Sequence, residues 1–358
     1  MSTHSTRSVT LVVALLVTAT LPAYANAGTP LMWATAFHLV FGNLIIGLAE
    51  GVLLARVATA PYRRALLSMV VANYVSAWAG LAIVNEWRAL RDVWLGTEPL
   101  YAGSHALVYL AVTAYGLTIA IEWPFCRWAL GPRPGAWRRA LLASVAVQTL
   151  SYAALVPYYY RVSGASLYSQ VSIDPALTRP AEARAVIWYI GVDGDVYRVR
   201  SADRSPEKVV TAGLSDPMAS LFFQKSKITG AADLLTDPER VLVRDAAAWD
   251  DGYSASSGNG KRAVDLVRPD VRAWDVKTGY WSIEGLMAEH RGRPNERLSV
   301  SVETPVLSWF SSDATVLPGD QVVYQLGPQV VLLDLRTRRI GLVALGRSPV
   351  VGLELQQR

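Results

Sequence analysis

Apolar residues run almost unbroken from Leu31 to Ala55 (LMWATAFHLVFGNLIIGLAEGVLLA), with Glu50 the single acid before Arg56. A stretch of that length crosses roughly 30 Å of hydrocarbon as a helix. Further runs at about 65–84, 104–122 and 140–157 share its character, so four transmembrane helices are predicted within residues 28–160. After Pro157 the pattern changes to short alternating runs rich in Val, Tyr, Trp and Leu and separated by Gly, Asp and Pro, which predict strands and turns. The chain therefore divides into a helical half and a β half.

Ahead of the first span, Arg7 precedes the short apolar core VTLVVALLVTATLP, and Ala25-Asn26-Ala27 supplies an A-x-A site. These are the parts of a secretory signal peptide, with cleavage expected after Ala27. The alternative, an uncleaved first span, is disfavoured by the shortness of the core.

Loop charges set the direction of the spans. The first loop carries Arg56, Arg63 and Arg64 and no acid, and the third carries Arg127, Arg133, Arg138 and Arg139. The second, 85–103, mixes Glu86, Arg88, Arg91, Asp92 and Glu98. Basic loops stay in the cytoplasm, so the second loop and the C-terminal half are expected on the opposite side. The predicted setting is a bacterial-type inner (plasma) membrane, with the β half periplasmic or extracellular. Trp33, Trp87, Trp94, Trp123, Trp128 and Trp137, with Tyr158 to Tyr160, fall near span ends as an aromatic belt does.

Composition supports this division. Hydrophobic residues make up 52% and charged residues 18%. The net charge of +5 comes from residues 1–160, with 10 Arg against 5 acids, whereas 161–358 balances 24 basic against 24 acidic residues. The basic excess thus reports topology and gives no reason to expect a nucleic-acid partner. Cys126 is the sole cysteine, so no intramolecular disulfide can form and an inert thiol is expected.

Residues 161–184 read as a connection and 185–358 as an exported β domain. Asp193-Gly194 lies between two β-rich runs in AVIWYIGVDGDVYRVR (185–200), a strong hairpin signal. Strands are also expected at about 238–245, 271–283, 298–303 and 321–335, with a loop at 246–262. The tail GDQVVYQLGPQVVLLDLRTRRIGLVALG, together with the 185–210 unit, resembles single blades of β-propellers. The domain is too short for a propeller of four-stranded blades of roughly 40 residues each. The expectation is therefore an α-helical membrane bundle of four transmembrane helices plus a C-terminal antiparallel β domain with propeller-like hairpins.

Intramembrane polar residues carry the functional signal, because such groups are expensive in hydrocarbon and face a bundle interior or cavity. Asn43 and Glu50 share a helix face with Gly47 and Gly51, where a neighbouring helix can approach closely and Asn43 can bond across the contact. Asn43, Asn73, Thr113 and Gln148 are expected at mid-membrane. Glu50 and Glu122 are placed near the inner surface, within reach of Arg56 and Arg127. His38 and His105, on the outer side, are the residues from which haem or metal ligation could be built. No cofactor is firmly implied.

The β half lacks a G-x-S-x-G elbow, an H-E-x-x-H helix, a P-loop or a Cys nucleophile, so no catalytic residue is assigned. His290, in AEHRGRPNER, reads as a solvated loop residue. Asp193 and Asp195 read as turn chemistry and not as a cation loop. Trp188, Tyr189, Tyr197, Trp274, Tyr280, Trp281 and Trp309 read as core. Three function classes follow. The favoured one is a non-enzymatic accessory subunit of an inner-membrane assembly, in contact with lipid and with other membrane subunits or its own copy. The others are a small transporter, channel or redox carrier using the polar intramembrane residues, and an enzyme at the outer membrane surface.

Overall fold

The computed structural model describes residues 38–86, 99–162, 166–203, 205–237, 240–249, 267, 272–279, 285–303 and 308–355. The expected signal peptide, the charged part of the second loop, most of the 246–262 loop, Tyr280 and Trp281 lie outside them.

A π-helical turn, His38–Gly42, leads into α1, Asn43–Val57. There follow α2, Tyr62–Glu86, α3, Pro99–Leu130, α4, Ala136–Val162, and the single turn α5, Leu167–Gln170. Among the described residues three helices are long and apolar enough to cross a membrane, at Leu39–Val57, Leu100–Leu130 and Ala136–Tyr158. The second expected span forms α2, a helix of 25 residues. Several of its side chains lie outside the described residues, and the count of candidate spans stands at three.

Small residues set the closest helix contact. A Cβ on Gly47 would lie 2.7 Å from Val70 Cα, and one on Gly51 2.7 Å from Leu66 Cα. The α1 and α2 backbones therefore touch where the G-x-x-x-G spacing places them. The end of the bundle at the α1–α2 and α3–α4 turns holds an apolar core, with Leu54, Ala65, Met69, Cys126, Ala143 and Val147 all buried in one cluster. Cys126 is buried with its sulfur 3.8 Å from Met69 Sδ. At the α3–α4 turn, Trp123 donates to the Trp137 carbonyl at 2.9 Å, and the Arg127 guanidinium lies over the Trp137 ring.

Helix α3 is longer than its apolar window. At 32 residues it extends about 48 Å, well beyond the hydrocarbon thickness. Its first two turns enter the β domain, where Leu100 and Ala106 are buried beside Trp274, Leu286, Trp309 and Tyr324. The Tyr101 hydroxyl accepts from the Leu342 N–H at 3.3 Å. Hydropathy locates the apolar window but not the helix ends, which is why a span of 104–122 stops short of this junction.

The β domain is antiparallel apart from one short parallel pairing. Its main sheet has eight strands: β13 (Ser311–Leu317), β14 (Gln321–Leu326), β15 (Gln329–Asp334), β16 (Arg339–Leu353), β2 (Ala185–Gly191), β3 (Val196–Arg200) and β4 (Glu207–Val210) in that order, with β1 (Ser172–Ile173) parallel to β16. Smaller sheets are formed by β5 (Leu221–Lys225), β6 (Ala232–Thr236) and β7 (Arg240–Ala247), by β8 (Trp274–Thr278), β9 (Leu286–His290) and β10 (Arg297–Val300), and by the pair β11 (Val302–Glu303) and β12 (Ser308–Trp309).

Strand β16 decides the architecture. Its first half pairs with β15 and its second half with β2, with a register shift between Arg347 and Val350. At that bulge Ser348 adopts φ 49°, its N–H donates to Gln325 Oε1 at 2.7 Å, and its Oγ accepts from the Leu221 N–H at 2.9 Å. A bulge bends a strand and increases its twist. The hairpins β14–β15 and β2–β3 are thereby joined edge to edge into one curved half-barrel sheet. Alternation divides β2 between two cores, with Ile187 and Tyr189 in one cluster and Val186, Trp188 and Ile190 in another.

The strands β1, β4, β5, β6, β9, β12 and β13 carry no clean sequence signal and are not among those expected; β1 falls within the expected connection 161–184. The placement of His290 in a solvated loop is corrected. It ends β9, pairs in register with Trp274 and meets that ring edge to face at 5.0 Å. Trp188, Tyr189, Trp274 and Trp309 are buried, while Tyr197 stacks on Tyr189 at 5.7 Å.

The Asp193-Gly194 hairpin closes on side-chain bonds. Asp193 accepts from the Tyr197 hydroxyl at 2.8 Å and from Lys208 Nζ at 3.0 Å. Asp195 accepts from Lys208 Nζ at 2.7 Å and from the Ala212 and Gly213 N–H groups. The Tyr197 and Lys208 bonds hold the Asp193 carboxyl at about 2, below its ordinary 3.8. A carboxyl lowered on folding stabilises the fold above its ordinary value, and that stabilisation is lost as pH falls toward the folded one. Lys208→Met is therefore expected to make the hairpin open at a higher pH during acid titration between about 4 and 2, read by Trp and Tyr fluorescence of the intact chain.

Candidate functional site

A polar layer crosses the bundle where this apolar cluster ends. Glu50 of α1 and Glu122 of α3 are 2% and 0% exposed. Asn73 of α2 donates to Glu50 Oε2 at 2.6 Å and to the Met69 carbonyl at 3.1 Å. Gln148 of α4 donates to Glu122 Oε2 at 2.5 Å, and Ser76 of α2 donates to Glu122 Oε1 at 2.9 Å. Ser151 and Gln148 also reach Glu50, and the two carboxyl groups interact electrostatically. Each of the four helices contributes a buried polar side chain to one connected group.

The helix faces explain this convergence. In α1 the buried residues are Asn43, Gly47, Glu50, Gly51, Leu54 and Ala55, one face with the two glycines at its centre. The glycine contact brings α2 close enough for Asn73 to reach Glu50. Glu122 and Cys126 are one turn apart on α3, as Ser144 and Gln148 are on α4, and all four are buried.

Several residues sit differently from the sequence reading. Asn43 is buried but does not bond across the contact. It donates to the Leu39 carbonyl in the π-helical turn just before it at 3.1 Å, and the cross-helix bond belongs to Asn73. Glu50 and Glu122 are not paired with Arg56 and Arg127. Arg56 is exposed, and Arg127 donates to the Gly131 carbonyl at 2.7 Å. The carboxylates instead share one layer with Asn73 and Gln148. Centring each span on its apolar window assigns these residues separate depths, and α3 extends well past its own window. Thr113 lies outside the layer and donates to Tyr109 O at 2.8 Å. His105 is exposed on α3 just before the buried Ala106. The backbone of His38 opens the π-helical turn, and its side chain lies outside the described residues.

Ser76 and Ser151 join the layer without being among the residues the sequence points to. Their position one turn beyond Asn73 and near Gln148 on predicted spans is the signal that could have found them. Among the described residues no group of three or more His, Cys, Asp or Glu gathers as a metal site. In the β domain the cavity bounded by Arg272, Trp274, Val316 and Asp320 is small, about 130 Å³.

No family model matches the chain, and no curated protein or solved structure matches it. Its function is therefore argued from this geometry.

Proposed function

We propose that this chain is a non-enzymatic accessory subunit of an inner-membrane assembly, with four spans including α2 and with its β domain exported as a docking surface for a partner. The observation that carries this reading is the junction at Leu100 to Ala106, where a membrane-spanning helix continues into the β-domain core. Such a junction fixes a protein-binding module against the bundle that anchors it. The start of α3 enters the β domain and α4 leads into it along the chain, in keeping with the loop charges, which predict both ends on the non-cytoplasmic side. The carrier reading has one observation in its favour, the buried Glu50 and Glu122 pair.

A tagged full chain purified from membranes in mild detergent tests the assembly reading. Stoichiometric membrane partners are expected by mass spectrometry, without visible absorption from a chromophore. A chain ending at Arg161 should stay in the membrane and lose them. A partner-free protein, or one carrying haem, overturns the reading.

A further inference from the structure

We infer that Glu50 and Glu122, with the amides of Asn73 and Gln148, form a binding site for one monovalent cation inside the bundle. The starting point is a charge imbalance. Two carboxyl groups lie buried within electrostatic reach of each other. Every side chain that bonds to them, Asn73, Ser76, Gln148 and Ser151, is neutral. Among the described residues no Lys, Arg or His forms an ion pair with either. The nearby titratable groups are Cys126 on α3 and Tyr152 on α4, and neither brings positive charge. Like charges buried together cannot both stay ionised without a cation between them.

The donor set selects the kind of cation. Asn73 and Gln148 spend their NH₂ groups on the carboxylates and hold them in place, leaving carboxylate oxygens as the ligands. All the candidate ligands are oxygens, the set preferred by a proton or an alkali ion and not by transition metals. One positive charge leaves the pair with the single negative charge that two amides and two hydroxyls can solvate.

The two sides of the layer differ. One side is sealed by Leu54, Ala65, Met69, Cys126 and Val147. On the other side, no described residue of α2 after Asn73, of α3 between Ala106 and Glu122, or of α4 after Gln148 is buried. A Cβ added at Gly80 or Gly116 would meet nothing within 4 Å. On that side α1 stays buried at Asn43 and Gly47, and α2, α3 and α4 are less buried than below the layer. Hydroxyls join α3 to α4 there, with Thr118 bonded to Tyr152 at 3.2 Å and Tyr115 to Thr149 at 2.8 Å. Oxygen groups thus continue from the carboxylates toward that side.

This inference goes beyond the assembly reading and is independent of it, since absence of partners leaves a cation response untouched. The test is thermal unfolding of the full chain in detergent, with sodium chloride replaced by choline chloride at constant ionic strength, at several pH values. For an alkali ion, saturating sodium is expected to raise the midpoint by about 5 °C, and Glu50→Gln and Glu122→Gln should each abolish the shift. For a proton, sodium has no effect, the midpoint falls as pH rises, and the glutamine variants remove that fall. A midpoint indifferent to sodium, with a pH dependence that both variants leave unchanged, overturns the site. Should the variants not accumulate, labelling of the wild type by a hydrophobic carbodiimide decides. Label on Glu50 or Glu122 that sodium or higher pH slows about tenfold supports the site, and labelling that neither slows, or none, overturns it.

Discussion

Replacing Gly47 by Leu is expected to remove most of the folded protein. A Cβ there lies 2.7 Å from Val70 Cα and 3.0 Å from the Met69 carbonyl and Val70 nitrogen, so backbone stands in its way and no side chain can rotate aside. Overpacking a well-filled interior costs about 1–3 kcal/mol even where side chains can adjust, and here α1 must move off α2. The displacement also separates Glu50 from Asn73, whose 2.6 Å bond depends on the same close approach. The loss should appear as a reduced monodisperse fraction in detergent and a midpoint lowered by several degrees. Gly80→Leu and Gly116→Leu supply internal controls, because nothing lies within 4 Å of either Cβ. They keep the hydrophobicity and the helix but do not touch the contact, and their midpoints should stay close to wild type. If all three variants behaved alike, the α1–α2 contact would not be the close packing described.

How far the sequence carries this description depends on the kind of signal. Apolar length is coarse and strong, and it locates the helices of the bundle. Helical spacing places Asn43, Glu50, Gly47 and Gly51 on one face, where the structure has them. Depth is harder to read. It requires knowing how far each helix runs past its apolar window, and the extra turns of α3 at Pro99–Leu130 have no hydropathy signature. Glu122 is for that reason matched from the sequence with an arginine, when its partner is Gln148. In the β half, Asp193-Gly194 announces its hairpin because an Asp-Gly turn constrains both flanking strands. Strands such as Leu221–Lys225 and Ser311–Leu317 show little alternation. Each pairs with the strand that follows it, and its packing is completed by strands distant in sequence, β16 among them. The joining of two hairpins through β16 is of the same kind, since a bulge held by Leu221 and Gln325 contacts cannot be seen in the local sequence around Ser348.

Leu100→Ala is the second large effect expected, and it bears on how the two halves of the molecule are held together. Leu100 is fully buried although it belongs to a membrane helix, and its neighbours in the core come from separate strands, among them Leu286, Trp309, Tyr324 and Leu333. Truncating a buried leucine costs about 2–5 kcal/mol, the upper part where the surroundings cannot collapse. Collapse is limited here because α3 is anchored at its far end in the bundle, with Glu122 bonded to α2 and α4. The Tyr101 to Leu342 hydrogen bond should weaken with it, exposing the edge of β16. The expected outcome is selective. Protease should cut the variant within the β domain or at residues 166–184 at least tenfold faster than wild type, while the helices stay in the membrane and keep their thermal response to whatever cation the bundle binds. Val108, 61% exposed on the same helix, supplies the control: Val108→Ala should leave protease sensitivity unchanged. Equal sensitivity of both variants would mean that α3 contributes to the β-domain core no more than its lipid-facing turns do, and the assembly reading would lose the observation that carries it.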